Sequence, residues 1–455
     1  MHMAVLYELL SNFFQGVGVV LYYSWWFWLA LLLWPFFEGT WLFWRREVWK
    51  GNLEFMMFEL RMPREITKSP AAMEQIFVAI HALRNGPDDF SEYWLEGEVT
   101  RWYSFEMLSV GGEIRFFLRC PKIQGELIKA AFFSYYPDIE LTETDDYVPK
   151  YFPKNTTEMF KNGYDAWGSE LVLMKDDIYP IRSYLEFESP EEEKQYDPMS
   201  MLIEMLGRAK REEIVGIQIN FFPIGDEYRA RGEKLVEKLR SKKKRNEPSA
   251  SMKMEFPHIL PHFPVAAKDG KEENEFARAL SRTPGETDVL KAIEENLGFP
   301  AFTAGIRFIY FSPKEIYQDT FARRGLISAF NQYGAMDLNA FLRNNLMSTR
   351  ARVWNFPFVF PNIRVRMRKD RLIMSYPERE LWPTTEMGRL IKSKFLNWDH
   401  SKEMILTARS LATVFHPPTH LTLTAPHMRR VESRKAGAPA GLPIYGNEEE
   451  LEKYR

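Results

Sequence analysis

The feature that most constrains this chain is a run of 29 residues without a formal charge, Leu9 to Phe37, centred on VGVVLYYSWWFWLALLLW. About 20 apolar helical residues cross the hydrocarbon core of a bilayer, so the run is long enough to span one. Its aromatic-rich sequence also lacks the amphipathic rhythm of a helix lying on a soluble core. The leader MHMAVLYELL holds no Lys or Arg, and no small-residue cleavage pair follows the run, which predicts a retained anchor and not a secretory signal. Arg45, Arg46 and Lys50 come just after it, whereas Glu8 alone precedes it. The positive-inside rule then predicts a single pass, with the N-terminus outside and the bulk in the cytoplasm. Trp41, Trp44 and Trp49, interleaved with Arg45, Arg46 and Lys50, read as a belt at the membrane interface.

Seven of the 13 tryptophans fall in the first 50 residues, so this end is a different material from the rest. The full 455 residues hold 60 Lys and Arg against 62 Asp and Glu, a net charge of −2, with 45% apolar residues. That balance excludes a wholly disordered chain, a collagen-like repeat and a multi-span carrier. Cys120 is the one cysteine, so no internal disulfide staples the fold and a reducing compartment is expected for the bulk.

After the anchor (1–50), the pattern predicts an α+β protein. NLEFMMFELRMP alternates as a strand does, and Ser69-Pro70 opens a helix AAMEQIFVAIHAL. Strands TRWYSFEMLSV and EIRFFLRC flank a Gly111-Gly112 turn, a helix runs through KIQGELIKAAFFSYY, and a short strand DIELTE closes the unit. The order β-α-β-β-α-β over 51–150 is that of a ferredoxin-like unit. A second such unit is predicted over 165–380: a strand RSYLEFES, a helix MSMLIEMLGRA, a strand EEIVGIQINFFP, then, after an inserted helix and linker at 225–297, a strand AGIRFIYFS, a helix KEIYQDTFARRGLISAFNQY, and β-like segments near VWNFPFVF and RLIMSYP. Residues 381–455 read as a helix, SKEMILTARSLATVFHPP, and a Pro/Gly-rich connector.

Gly270-Lys271 is followed by Glu272, so no Walker A loop is present, and HExxH, CxxC and GxSxG patterns are absent. Catalytic, cofactor-binding and metal-ligating residues are therefore not expected. The pairs His258/His262 and His416/His420 have metal-like spacing but are broken by Pro261, Pro417 and Pro418. Glu191, Glu192 and Glu193 precede a predicted helix, where acids favour its dipole. His81 and Cys120 belong to apolar elements and are expected in the core. The basic tracts Lys242, Lys243, Lys244 and Arg245, and Arg364, Arg366 and Arg368, are the candidates for contact with nucleic acid or lipid; on a strand the last three would face one side.

The segments PREITKSPAAMEQIFVAIHAL, TPGETDVLKAIEENLGFPAFTAGIRFIYFSPKE, and LNWDHSKEMILTARSLATVFHPP followed by RRVESRKAGAPAGLP resemble the amino-terminal, pre-motor region of bacterial type IV secretion and conjugative DNA-transfer ATPases. The resemblance spans nearly the whole chain after the anchor. It implies a membrane-tethered region that precedes a RecA-like motor; the motor's ATP-binding residues have no counterpart here. The expectation is a membrane-anchored assembly or docking subunit of such an apparatus, oligomeric, not itself an enzyme and without a cofactor, whose partners are the membrane, a separately encoded ATPase and other apparatus subunits, with DNA left open. The rival readings are a membrane-anchored nucleic-acid-binding module and a membrane-bound enzyme with an unrecognised site.

Overall fold

Alternating apolar and polar residues, which send successive side chains to opposite faces, build a single antiparallel sheet on which the rest of the chain is arranged. The structure, a computed structural model, describes residues 2–63, 66, 68–188, 196–241, 283–352, 358–381, 385–393 and 401–419. Along the chain, strands β1 (Phe55–Arg61), β2 (Tyr103–Val110), β3 (Glu113–Pro121), β4 (Glu140–Thr144), β5 (Tyr164–Leu173), β6 (Ile214–Pro223), β7 (Ala301–Pro313), β8 (Phe341–Arg343) and β9 (Met404–Thr407) lie in the order β4-β1-β3-β2-β6-β7-β5-β8, with β9 on β7. Every pairing is antiparallel.

The order has an internal repeat. Taking β1 to β4 and β5 to β8 as two sets of four, each is arranged fourth-first-third-second, and the sets meet through their second strands, Tyr103–Val110 of β2 against Ile214–Phe221 of β6. The 13 residues of β7 serve two neighbours on one side, pairing β5 through Arg307–Pro313 and β9 through Ala301–Ala304.

The α-helices of seven residues or more among the described residues are α1 (His2–Gly51), α2 (Ala71–Ala82), α3 (Gly125–Tyr135), α4 (Ser200–Gly207), α5 (Glu227–Ser241), α6 (Pro284–Leu297), α7 (Pro361–Ser375), α8 (Glu386–Lys392) and α9 (Ala408–Val414). The main core lies on one sheet face: Phe58, Phe105, Leu118, Ile217, Phe221, Ile306 and Phe308 meet Phe77 of α2, Phe132 of α3, Leu202 of α4 and Leu411 of α9. The opposite face carries a smaller core, with Leu108, Phe117 and Ile309 under Tyr147, Phe152 and the α7 end Leu372–Tyr376. Helix α7 lies across the strands. A Cβ on Gly168 of β5 would meet Leu372 at 2.3 Å and one on Gly216 of β6 would meet the Tyr376 hydroxyl at 2.0 Å; the two glycines allow that close approach. Helices α5 and α6 form a satellite around Tyr228, Leu290 and Ile293, and Thr283 and Glu286 close a reciprocal capping box at the start of α6.

Helix α1 is long and apolar enough to cross a membrane, and its apolar side chains from Val19 to Phe37 are almost all exposed. It runs without a break, Pro35 included, to Gly51, so the Trp41 to Lys50 segment is helical too.

Several predicted elements differ. RSYLEFES is a short 3-10 turn at Tyr184–Glu186, and the leading strand of the second set is β5, further back. KEIYQDTFARRGLISAFNQY breaks into a π-helical turn, Phe321–Leu326, and two short turns. RLIMSYP is the end of helix α7; most of VWNFPFVF lies outside the described residues, and the fourth strand of the second set is β8. Within SKEMILTARSLATVFHPP, Met404–Thr407 is a strand, because it completes the β7 edge, and Thr407 then caps α9 by accepting from Ser410 N–H. This segment is part of the main core: the Phe415 ring stacks on Phe105 at 4.5 Å. Cys120 is buried there.

Candidate functional site

The most concentrated chemistry sits on the second sheet face, at the foot of α1. On β2 the alternation that sends Tyr103, Phe105 and Met107 into the main core sends Ser104, Glu106 and Leu108 to the other side. Glu106 is wholly buried. Its carboxylate accepts from Arg379 Nε at 2.7 Å and Nη2 at 3.3 Å, from the Tyr147 hydroxyl at 2.5 Å, and from Gln218 Nε2 at 3.3 Å. Arg379 donates further to Asp146 at 2.5 and 2.8 Å and to the Pro377 carbonyl at 3.0 Å, so all five of its N–H groups have acceptors. The Tyr376 hydroxyl joins Tyr147 at 3.0 Å.

The electrostatics follow from burial and charge. Burial works to lower the Arg379 pKa, but Glu106 and Asp146 hold the guanidinium well above its ordinary value. Burial likewise works to raise Asp146, and the Arg379 hydrogen bonds and charge outweigh it and keep the carboxyl below the usual range. Burial, then Glu106, pushes the Tyr147 phenol well up. Arg379 adopts φ 51, a left-handed conformation unusual for a long side chain. Such strain persists only where the surroundings dictate it, and here five hydrogen bonds do.

The next residue connects this cluster to α1. Glu380 pairs with Lys50 in the last turn of α1, and Lys50 also reaches Glu47 at 3.1 Å. Higher on the helix, Trp41 Nε1 donates to the Trp94 carbonyl at 2.8 Å, and Arg46 lies over the Tyr93 ring at 5.1 Å. Gly39 is within reach of Met387 of α8: an added Cβ would meet its Cγ at 2.7 Å. Between helix and sheet lies a cavity of about 220 Å³ lined by Arg46, Lys50, Glu98, Trp102, Phe222 and Glu380. Burial, then Glu92, raises the Glu98 carboxyl. The arrangement can hold a helix against a sheet, with Lys50 shared between Glu47 and Glu380 and Arg379 between Glu106 and Asp146.

One contact sets the helix's seat. Gly97 has φ +73, and a Cβ there would stand 2.5 Å from the Arg45 backbone carbon. Gly97→Val is therefore expected to lift the Ser91–Glu96 turn from α1 at a cost of roughly 1–3 kcal/mol. Faster proteolytic cutting of the 85–100 segment in Gly97→Val is the measurement; an unchanged cutting rate would disprove the seat.

Of the residues singled out in the sequence, Trp41, Arg46 and Lys50 come together here, Arg45 lies over the Trp44 ring at 5.4 Å, Trp44 is exposed and Trp49 half-buried. Arg364, Arg366 and Arg368 lie on helix α7 and not on a strand, so they do not share one side: Arg364 is buried and donates to the Arg352 carbonyl, Arg366 reaches Thr157, and Arg368 donates to the Ser348 and Arg350 carbonyls. Lys242, Lys243, Lys244, Arg245, His258, His262, His420 and Glu191 to Glu193 lie outside the described residues. His416 is buried against Asp197 at 3.1 Å, and His81 Nε2 meets the Ile224 carbonyl at 2.9 Å. Sequence reasoning missed Glu106, Asp146 and Arg379. The one available signal was Glu106 itself, an acid at an inward position of the otherwise buried strand YSFEMLSV.

No curated protein matches the chain. Residues 57–430, from within β1 to beyond α9, match a family described as a domain of unknown function, and the chain accordingly belongs to that family, DUF8128.

Proposed function

We propose that this protein is a membrane-anchored docking subunit of a DNA-transfer or secretion apparatus, with α1 in the bilayer, the N-terminus outside, and the sheet domain presented in the cytoplasm to a separately encoded ATPase. In this reading the two sets of four strands are ferredoxin-like units joined edge to edge, an extended platform suited to binding other subunits. The observation that carries the reading is the clasp at the helix foot: Lys50 to Glu380, and Arg379 to Glu106 and Asp146. A flexible tether would suffice to keep a domain near a membrane. A helix fixed to the sheet by buried charge sets the height and orientation of the platform as well, which is what an assembly subunit needs.

The test is crosslinking in the source cells, followed by affinity purification in detergent and mass spectrometry. The reading expects a P-loop ATPase and further apparatus subunits crosslinked to the sheet domain. A protein that fractionates away from membranes, or that is recovered alone and turns over a small substrate, overturns it.

A further inference from the structure

We infer that the β8 edge of the sheet, wrapped by arginines from both faces, is a binding surface for single-stranded nucleic acid. Residues 319–371 hold ten Lys and Arg against three Asp, a surplus of seven positive charges in a chain whose total is −2; the remainder therefore carries −9. Positive charge is segregated here although the average conceals it. Nine of the ten cations are arginine, the side chain whose planar fork grips phosphate oxygens and stacks on flat rings.

The fold gathers seven of them, Arg323, Arg343, Arg350, Arg352, Arg364, Arg368 and Arg371, at one place. Arg323 stands on the Phe321–Leu326 turn, whose Ala322 and Leu326 belong to the main core, while α7 lies over the opposite face. Asp319 links Arg323 at 3.3 Å to Arg350 at 3.8 Å, joining that turn to the loop after β8. Arg368 ties the same loop to α7 through the carbonyls of Ser348 and Arg350, both at 3.0 Å. The cations thus run from one face, around the edge, to the other. Their crowding shows in their chemistry: burial, then Arg364 and Arg371, lowers Arg368 to about 10, and burial, then Arg323, Arg350 and Arg352, lowers Arg343. A polyanion would relieve that repulsion. Beside them Phe358 and Phe360 are 58% and 61% exposed, and exposed aromatics next to a cationic track are what unpaired bases stack on. The curved course around an edge suits a flexible strand better than a flat lipid surface. This inference is independent of the docking reading, since it concerns the opposite end of α7 from the clasp.

The experiment uses the full chain in nanodiscs of neutral phosphatidylcholine and fluorescence anisotropy of a labelled single-stranded DNA of about 30 nucleotides. Binding is expected to weaken steeply with salt, each phosphate contact adding roughly 0.7 to the slope of log K against log salt. Arg350→Glu/Arg366→Glu should bind at least tenfold more weakly with a shallower slope, and the milder Arg350→Gln/Arg366→Gln should fall between. Equal binding by the wild type and a variant whose melting is unchanged, or no binding even at about 50 mM salt, overturns the inference. So does a result in which charge reversal spares DNA binding but abolishes attachment to phosphatidylglycerol vesicles, which would make the edge a lipid contact.

Discussion

Replacing Arg379 by methionine is expected to destabilise the domain by about 3–5 kcal/mol, because it leaves Glu106 charged, buried and without its counter-ion. Glu106 is 0% exposed, and two of its hydrogen bonds come from this one guanidinium. The double variant Glu106→Gln/Arg379→Met should lose distinctly less than the sum of the single losses, since the stranded charge goes with its partner. Equilibrium denaturation followed by tryptophan fluorescence provides the measurement, and a loss below about 1 kcal/mol in Arg379→Met would show that the pair is not a closed buried unit. A pH dependence accompanies it. The folded pKa of Asp146 lies below its unfolded value of about 3.9, so its contribution is complete above that value and is lost as pH falls through the lower, folded one. In Arg379→Met this acid limb should flatten. Because Glu380 is the next residue and holds Lys50, the same variant should also free the foot of α1 from the sheet and expose the 376–381 segment to protease.

How much of this was legible in the sequence depends on which forces acted locally. Strands β3 and β4 were visible because residues on one face stay partly exposed, so burial leaves an alternating trace, and β2 was marked by the Gly111-Gly112 turn that joins it to β3. Strand β5 left none: YDAWGSELVL is buried on both faces over most of its length, and its Ser169 and Glu170 are satisfied by groups far along the chain, Glu170 by Arg307 at 3.1 Å. The RLIMSYP end of helix α7 reads as β-like, and the period-two alternation of NIRVRMR just before it is no guide to a helix, whose period is 3.6. Pro361 at its first turn was the better signal. The clasp was out of reach altogether. Glu106 and Arg379 are separated by 273 residues, and no local pattern marks an arginine whose role is to neutralise an acid on a distant strand. Helix α1 was legible for the opposite reason: the apolar length that a bilayer crossing requires shows in one continuous stretch, Leu9 to Phe37.

A second buried pair tests whether residues 401–419 are an integral part of the fold. Asp197, 2% exposed, uses both oxygens: Oδ1 accepts from Met199 N–H at 2.7 Å and from His416 Nε2 at 3.1 Å, and Oδ2 accepts from the Thr419 N–H at 2.7 Å and hydroxyl at 2.9 Å. The other ring nitrogen of His416 faces the Ala412 carbonyl at 2.8 Å, so both nitrogens meet acceptors. One carboxylate thus caps the approach to α4 and ties down residues 416–419, just beyond the Phe415 ring that stacks in the main core. Burial works to raise the Asp197 pKa, but His416 and the backbone N–H donors outweigh it and hold the carboxyl below the ordinary range. Its stabilising contribution is therefore present at neutral pH and lost as pH drops through the depressed folded value. Asp197→Ala is expected to cost about 3–5 kcal/mol, because it strands His416 and two backbone donors in the interior. His416→Ala should cost less, since the remaining three hydrogen bonds to Asp197 persist. The double variant should fall short of the summed losses by about 0.5–3 kcal/mol, the coupling of residues that share a bond. Strict additivity would mean that the two side chains act separately, and that the 401–419 segment is held by Phe415 and β9 alone.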